Sequence, residues 1–458
     1  MDERRATSTR RTVIAAVAVL AVVGTLASVF AVGVAAARVT CNISVNTENS
    51  ANTSVQSAIN SANPGWTICL GAGSFPEQLT IATSGLTLRG AGSGLTSIDP
   101  ASVVSNTVDW DSSFPQQALD TVVLVDNTTG VSLTNLAVVG TAAASSISGC
   151  SPGFVGIDYQ NSSGTVSGVA VRGIELAPSL LGCQSQLGIY AYTGFFSTSF
   201  VPSPALKVTV TKTVVTSYGK NGITCNDPGL TCVLTSDTTT GIGGTSAIAQ
   251  NGIQIGFGAV GQLTGNHVSA DNYTGGGSTL DWFGTGTQGA GILLYNPGSA
   301  TTVFKSVVSQ SPFAIAEYET AASSVYITGN TITGATGYAI VVNGAPGTTA
   351  LIANNTVNQL ATGAPGILVD NGTFNVSKNV ISHTSATGTN GASQVVCGTG
   401  SYLSCATTLS IRTAAIQAVS EGAGGPTDVT LFANTFSHDN LSMATVALPT
   451  GSVTTQWT

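Results

Sequence analysis

Short apolar strands recur along the chain, and nine of them begin with an isoleucine that follows a glycine or an alanine. Successive isoleucines are 23 to 49 residues apart, so the local pattern repeats without a fixed spacing. Local similarity of this kind is typical of a solenoid, in which each coil contacts only its neighbours. The isoleucines are Ile157, Ile189, Ile223, Ile253, Ile292, Ile315, Ile340, Ile367 and Ile416.

One coil can be followed through residues 323–343. Three short strands there alternate apolar and polar residues, and the alternation turns Val325, Ile332 and Ile340 toward a common interior. The chain repeats this order after Ala350 and again after Phe374. The pattern therefore predicts an all-β solenoid of about ten to twelve coils with three strands in each.

An asparagine recurs at the turn after the second apolar strand of several coils. Its amide can satisfy backbone groups that a turn leaves unpaired, both in its own coil and in the next one. We therefore predict a partial ladder of stacked asparagines along one corner. Its members would be Asn135, Asn266, Asn330, Asn355, Asn379 and Asn434.

The start of the solenoid carries its own signal. Residues 52–62 combine helix-start residues with an apolar face, which predicts a short helix that caps the open end of the interior. Together with the later segments TICLGAGSF, LTLRGAG, ITGNTITG and NGI, this opening resembles the right-handed parallel β-helix of the pectin-lyase-like superfamily. The resemblance covers nearly everything after residue 50. It implies an all-β, single-stranded, right-handed parallel β-helix.

Insertions concentrate in the turn just before the isoleucine strand, on one side of the solenoid. Stacked insertions on one face commonly build a binding wall, so we predict a groove beside the isoleucine strands. The resemblance implies the same location, because enzymes of this superfamily carry polysaccharide clefts there.

Outward positions of the isoleucine strands combine tyrosines with amides and carboxylates. Such a surface suits a sugar chain, whose ring faces stack on aromatic rings and whose hydroxyls accept directed hydrogen bonds. An ordinary solvated sheet face, on which tyrosine is simply a good strand former, explains the pattern equally well. The candidate substrate-binding residues are Asp158, Tyr192, Tyr295, Tyr318 and Asn343 on strands, with Trp110 and Trp282 in loops.

Glycoside hydrolysis requires two carboxyl groups about 5 to 9.5 Å apart across the scissile bond. Candidate pairs are Asp109 with Asp111, Glu317 with Glu319, and Asp281 with Asp158 or Asp370. Glu317 falls at an inward position. It is therefore either buried with a perturbed pKa or a sign that the predicted strand register is wrong by one residue, and the second interpretation is favoured.

A lyase would instead require a base to abstract a proton and a cation to hold a sugar carboxylate. Lys220 and Arg412 lie three and four residues before an isoleucine and are the basic residues so placed. The resemblance would imply motifs such as Arg-x-Pro-x-x-Arg in pectate lyases and Gly-His-Gly in polygalacturonases, and the sequence contains neither. The candidate catalytic residues are Asp281, Asp370, Lys220 and Glu317.

Composition indicates export. Four arginines precede an uncharged apolar run at 13–37, which predicts either a cleaved signal peptide or a retained membrane anchor over residues 1–37, with the β-helix domain at 38–458. The domain has 9 basic and 19 acidic residues, a net charge of −10, which argues against nucleic acid as a partner.

Eight cysteines in an exported chain predict disulfides, and pairing between neighbours is the simplest arrangement. The predicted pairs are Cys41 with Cys69, Cys150 with Cys183, Cys225 with Cys232, and Cys397 with Cys405. No metal site is predicted from the cysteines and histidines. Calcium stays open as a cofactor, although no Asp-rich calcium-binding repeat occurs.

Three functions follow from these patterns. The favoured one is an extracellular protein, secreted or held at the cell surface, that binds polysaccharide or a surface glycan in the groove. The second is a polysaccharide lyase or glycoside hydrolase that uses the same groove. The third is a structural stalk on the cell surface with no ligand.

Overall fold

Three long parallel sheets wind around a common apolar interior, because each coil contributes one strand to each sheet. The computed structural model describes residues 40–46, 54–109, 117–194, 205–275, 289–359, 366–384, 393–397, 405–410, 415–420, 426–437, 443–447 and 452–457. The β-helix unit comprises Cys41–Thr458. Strands that recur in the same order in each sheet form a right-handed parallel β-helix, as the resemblance implied.

The strand bounds follow the predicted three-strand coil. The first sheet contains Ile43–Val45, Thr67–Leu70, Thr87–Arg89, Val131–Thr134, Gly164–Ser167, Leu206–Thr211, Leu230–Thr235, Val260–Thr264, Thr301–Phe304, Ser324–Thr328, Thr349–Ala353, Gly372–Ser377, Thr427–Phe432 and Val453–Trp457. The second contains Gly73–Phe75, Thr96–Ile98, Ala137–Val139, Ala170–Ile174, Val214–Tyr218, Thr238–Thr240, His267–Ser269, Val307–Ser309, Thr331–Thr333, Thr356–Asn358, Val380–Ser382 and Thr435–Ser437. The third, called the isoleucine sheet, contains Leu79–Ile81, Gln117–Asp126, Gly153–Gln160, Gln186–Tyr192, Asn221–Asn226, Asn251–Gly256, Ala290–Tyr295, Phe313–Tyr318, Ile340–Asn343, Ile367–Asp370, Ile416–Ser420 and Met443–Ala447.

All nine isoleucines occupy one register position of the isoleucine sheet, from Ile157 paired with Ile189 to Ile367 paired with Ile416. Each is at most 1% exposed and belongs to the continuous core. The inward direction assigned to them from period-two alternation is therefore right.

The asparagine ladder forms along the corner between the first and second sheets. Asn330 N donates to Asn355 Oδ1 at 2.9 Å, Asn355 N to Asn379 Oδ1 at 3.0 Å, and Asn379 N to Asn434 Oδ1 at 3.0 Å. The ladder is longer than predicted, because Thr213, Asp237 and Ser306 occupy the same position in other coils. They are linked by bonds of Thr213 N to Asp237 Oδ1 (2.9 Å), Asp237 N to Asn266 Oδ1 (3.0 Å), Asn266 N to Ser306 Oγ (3.3 Å) and Ser306 N to Asn330 Oδ1 (2.9 Å).

Asn135 does not belong to this ladder. It has φ +53° and is exposed, and it lies one residue before the ladder position. Asparagine adopts the left-handed conformation more readily than most residues, so Asn135 serves the turn itself.

Three short helices and a hairpin complete the described structure. The helix Val55–Ser61 starts at Ser54, whose Oγ accepts from Ser57 N at 3.1 Å, while the Glu77 carboxylate accepts from Val55 N at 2.7 Å. Its Val55, Ala58 and Ile59 lie in the core. The others are the helix Thr141–Ala144, the 3₁₀ helix Pro178–Leu180 and the antiparallel hairpin of Ser393–Cys397 with Cys405–Ser410.

Three of the predicted disulfides are present: Cys41–Cys69, Cys150–Cys183 and Cys225–Cys232. The hairpin register places the backbones of Cys397 and Cys405 opposite each other, and their side chains lie outside the described structure. No described helix is long and apolar enough to cross a membrane, and the apolar run at 13–37 is outside the described residues.

Candidate functional site

The outer face of the isoleucine sheet, where the sequence placed a groove, is open over only part of its length. The residue after each isoleucine from Ile157 to Ile367 points outward, and in most of these coils it is buried. Gln254 and Leu293 are partly exposed, as are Tyr295 and Tyr318 at the outward position two residues further along their strands. The accessible face therefore centres on the strands Asn251–Gly256 and Ala290–Tyr295.

A pocket of about 180 Å³ lies at this opening and spans four neighbouring strands, from Gln186–Tyr192 to Ala290–Tyr295. Amides, aromatic rings, one carboxylate and one ammonium line it. The lining residues are Asp109, Gln184, Leu187, Tyr190, Lys220, Asn221, Thr224, Asn226, Asn251, Gln254, Phe257, Leu293 and Tyr295.

Four amide side chains form a connected network in the pocket. Asn251 Nδ2 donates to Asn221 Oδ1 at 3.0 Å, and Asn221 Nδ2 donates to Gln254 Oε1 at 3.0 Å. Gln254 Nε2 then donates to Asn226 Oδ1 at 3.2 Å. These bonds fix the orientation of the four amides, and Gln254 is the member of the network that is partly exposed to a ligand.

A row of aromatic rings borders the pocket where the strands end. Phe257 lies against Tyr295 with ring centroids 5.1 Å apart, and Tyr295 stacks on Tyr318 at 5.4 Å with an interplanar angle of 14°. Burial, and to a smaller extent the neighbouring Tyr318, raises the pKa of Tyr295. These partly exposed rings offer flat apolar surface beside the amides.

Two charged side chains reach the pocket from its other edges. Lys220 Nζ donates to Ala249 O at 2.6 Å, and burial lowers the pKa of Lys220 to about 8. The Asp109 carboxylate is buried, and the Tyr190 hydroxyl donates to its Oδ1 at 3.2 Å. Among the described lining residues, Asp109 is the one acid and Lys220 the one base.

Asp109 is the last residue of a strand that lies across the sheet. This strand, Thr107–Asp109, is called the strap, and it pairs antiparallel with Gln117–Asp126. Val108 O accepts from Tyr192 Oη at 3.1 Å and from Gln160 Nε2 at 3.3 Å. The strap thus helps to bury Tyr190 and Tyr192, whose rings stack at 4.5 Å.

The pocket brings together only some of the residues proposed from the sequence. Lys220 and Tyr295 line it, and Tyr318 stacks against its edge. The other described candidates are buried on the outer face of the same sheet and do not line the pocket: Asp158, Tyr192, Asn343 and Asp370. Trp110, Asp281 and Trp282 lie outside the described residues.

Glu317 faces the interior and does not line the pocket. The register pairs it with Leu294 and Val342, both core residues, and it is 0% exposed. Burial, with the nearby charge of Glu319 as a second cause, raises the pKa of Glu317 well above its usual range. The predicted strand register is therefore right, and the interpretation of Glu317 as a register error is wrong.

Sequence reasoning missed Asn221, Asn251 and Phe257. The two asparagines begin the Asn-Gly-Ile triplets of adjacent coils and pair in register, so the repeated triplet was a usable signal. Phe257 follows its strand in a left-handed turn with φ +54°, where no alternation pattern applies. No three His, Cys, Asp or Glu side chains cluster as metal ligands within the described part of the chain.

No protein-family model and no curated protein matches the sequence. Among solved structures, the A-module of a mannuronan C-5 epimerase from Azotobacter vinelandii is 15% identical with a TM-score of 0.45, covering 87% of this chain and 94% of that one. A periplasmic alginate epimerase is 12% identical (TM-score 0.44, covering 90% and 83%). The catalytic unit of a GH87 α-1,3-glucanase from Streptomyces thermodiastaticus is 14% identical (TM-score 0.43, covering 88% and 65%). At these identities the likeness concerns the fold alone. The strand topology itself identifies the chain as a right-handed parallel β-helix.

Proposed function

We propose that the protein is an exported β-helix that binds a polysaccharide or cell-surface glycan in the pocket on the isoleucine sheet. The observation that carries this proposal is the combination of the amide network with the aromatic row in one pocket. Sugars present hydroxyls at their edges and C–H groups on their ring faces. Directed amides and flat rings side by side are complementary to both.

The pocket carries little charge and its amides are held in place. One carboxylate and one ammonium are present among its described residues, so neither sign of charge dominates. The amides already bond to one another at 3.0 to 3.2 Å, which holds them in place before a ligand arrives. A preorganised site loses less conformational entropy when it binds.

Export is supported by the disulfides. Three disulfide bonds are typical of proteins outside the reducing cytosol. Attachment through residues 13–37 is the alternative to release. Mass spectrometry of the mature N-terminus in the membrane and soluble fractions distinguishes an anchored chain from a cleaved one.

A glycan array followed by calorimetry tests the binding function. Tyr295→Ala and Gln254→Ala should each weaken glycan binding at least tenfold, which is about 1.4 kcal/mol. Tyr326→Ala is the matched control, because Tyr326 is an outward tyrosine on the first sheet and is 41% exposed. Retention of no glycan on the array would favour a structural stalk and reject the proposal.

A lyase is the second candidate, and Lys220 is the observation that favours it. A lysine with a pKa of about 8 is neutral in about one fifth of the molecules near pH 7.4, far more than an ordinary lysine, and the neutral amine can accept a proton. Hydrolysis by a carboxyl pair has less support, because Asp109 is the one carboxylate among the described lining residues.

The two functions differ in their products. If the protein is a lyase, wild type should release unsaturated oligosaccharides from the glycan identified on the array, and Lys220→Met should abolish the release while retaining binding. If binding is the whole function, prolonged incubation with wild type leaves the length of the glycan unchanged.

A further inference from the structure

We propose that the pocket receives the end of a glycan chain rather than a stretch of its interior. This inference rests on the proposed carbohydrate binding. A site for chain interiors needs a track that continues in two directions past the pocket. The outer face of the isoleucine sheet is closed on both sides along the solenoid axis.

The strap closes the first side. Its backbone accepts from Tyr192 and Gln160, and its Asp109 accepts from Tyr190. Around these contacts, Leu119 and Val155 join the two tyrosines in a buried cluster on the outer face. A glycan cannot pass over these coils without displacing the strap and exposing that cluster.

An apolar cluster closes the second side. Ala316, Val341 and Leu368 continue the register of Leu293 away from the pocket. All three are 0% exposed although they point outward. They pack with two stacked rings, Phe313 and Tyr338, in a cluster separate from the core. The row of the sheet that contains Leu293 is therefore unavailable to a ligand beyond the pocket, and on the next strand Tyr318 of the aromatic row is partly exposed.

The open distance between the two closures is short. Neighbouring strands lie about 4.8 Å apart, so the four strands of the pocket span about 15 Å. The pocket volume of about 180 Å³ is below the ~300 to 1,000 Å³ of sites that enclose drug-sized ligands. Only a short piece of an oligosaccharide can be accommodated.

The edge of the pocket at which the strands begin is also closed. Where the strands begin, Lys220 bonds to Ala249 O, and Gln184 lines the pocket beside it. Where the strands end, Phe257, Tyr295 and Tyr318 are partly exposed. The structure thus assigns the aromatic row as the side from which a chain end enters.

Binding stoichiometry tests the inference directly. The polysaccharide that binds on the array is cut into a series of defined lengths from the disaccharide upward, and each is titrated by calorimetry. End recognition predicts one protein bound per chain at every length. It also predicts at least tenfold weaker binding after chemical blocking of one chain end, the reducing end by reduction to the alditol or the other end by capping.

Two other results would overturn the inference in different ways. A number of bound proteins that rises in proportion to chain length, with unchanged affinity after either end is blocked, would overturn end recognition and leave glycan binding intact. Absence of binding to every glycan would reject the proposed function and this inference with it. Tyr295→Ala serves as the loss-of-site variant and Tyr326→Ala as the control at each length.

Discussion

Replacing Asp237 by asparagine should stabilise the protein at neutral pH and leave it unchanged in acid. Asp237 occupies a ladder position at which five other coils carry asparagine, and it is 0% exposed. Burial raises its pKa from 3.8 to about 7, even though the backbone amides of Thr213 and Thr235 oppose the rise. Asparagine keeps the oxygen that accepts from Thr213 N and never carries a charge.

The magnitude follows from the pKa difference. About three pKa units at 1.36 kcal/mol each give about 4 kcal/mol as an upper limit. The protonated carboxyl contributes stability that is fully present below about pH 4. That stability falls by at most 1.4 kcal/mol per pH unit until about pH 7, because the unfolded chain releases its proton first. The advantage of Asp237→Asn should therefore be near zero at pH 4 and largest at pH 7 and above.

The ladder geometry adds a second reason for the gain. Asn266, Asn330 and Asn355 each donate from Nδ2 to a carbonyl of the preceding coil, for example Asn266 to Leu234 O at 3.1 Å. Register places Val210 O at the equivalent point one coil before Asp237. The new amide can donate there at every pH, whereas Asp237 Oδ2 can donate only while the carboxyl is protonated, so this bond adds to the gain at neutral pH and not in acid.

Thermal unfolding followed by circular dichroism at pH 4, 6 and 8 measures the effect. Asp428→Asn is the control, because it removes the same charge from a partly exposed position on the first sheet. An equal gain at pH 4 and pH 8, or a gain of the same size in Asp428→Asn, would show that the buried charge is not the cause.

Three further predictions concern the interior and the pocket. Asn355→Ala should lower the free energy of unfolding by about 4 kcal/mol, because its side chain makes four hydrogen bonds worth about 1 kcal/mol each. Asn375 is exposed, so Asn375→Ala should change the free energy of unfolding by less than about 0.5 kcal/mol. Chemical denaturation measures both values. Glu317→Gln should raise the melting temperature at pH 8 and leave it unchanged at pH 4. The raised pKa of Glu317 means that the wild type loses stability as the pH rises above 4.5. A larger gain in melting temperature at pH 4 than at pH 8 would contradict this cause. If the Lys220 ammonium contacts the glycan, the calorimetric affinity should fall between pH 7 and pH 9 as the amine loses its proton near pH 8, and Lys220→Met should be weaker but independent of pH over that range.

The sequence predicted the coils well because their determinants are local. Small residues before isoleucine and period-two alternation identified the strands and the inward direction, and pairing of neighbouring cysteines identified three disulfides. The ladder was predicted in part, because Asp237 and Ser306 supply the same oxygen acceptor through other residue types. A search for asparagine alone therefore misses coils in which an aspartate or serine oxygen accepts the same hydrogen bond.

The site was less predictable, since it depends on contacts between distant segments. Tyr190 and Tyr192 point outward as alternation requires, yet the strap, more than 80 residues earlier, bonds to both hydroxyls. Nothing in the apolar pattern around Thr107 indicates where that strand lies. The sequence therefore did not indicate which part of the outer face is exposed, and the exposed part is the pocket.

The ladder bonds form whatever the length of chain between their partners. Bonds that join residues 25, 40 and 55 positions apart measure 2.9, 3.3 and 3.0 Å. The additional residues are inserted away from the ladder corner, and the strands that follow them are in register. Evolution can therefore lengthen or shorten the segments around the pocket without disturbing the hydrogen bonds of the ladder. The shape of the pocket and the stability of the fold are therefore free to evolve separately in this protein, each on its own side of the solenoid.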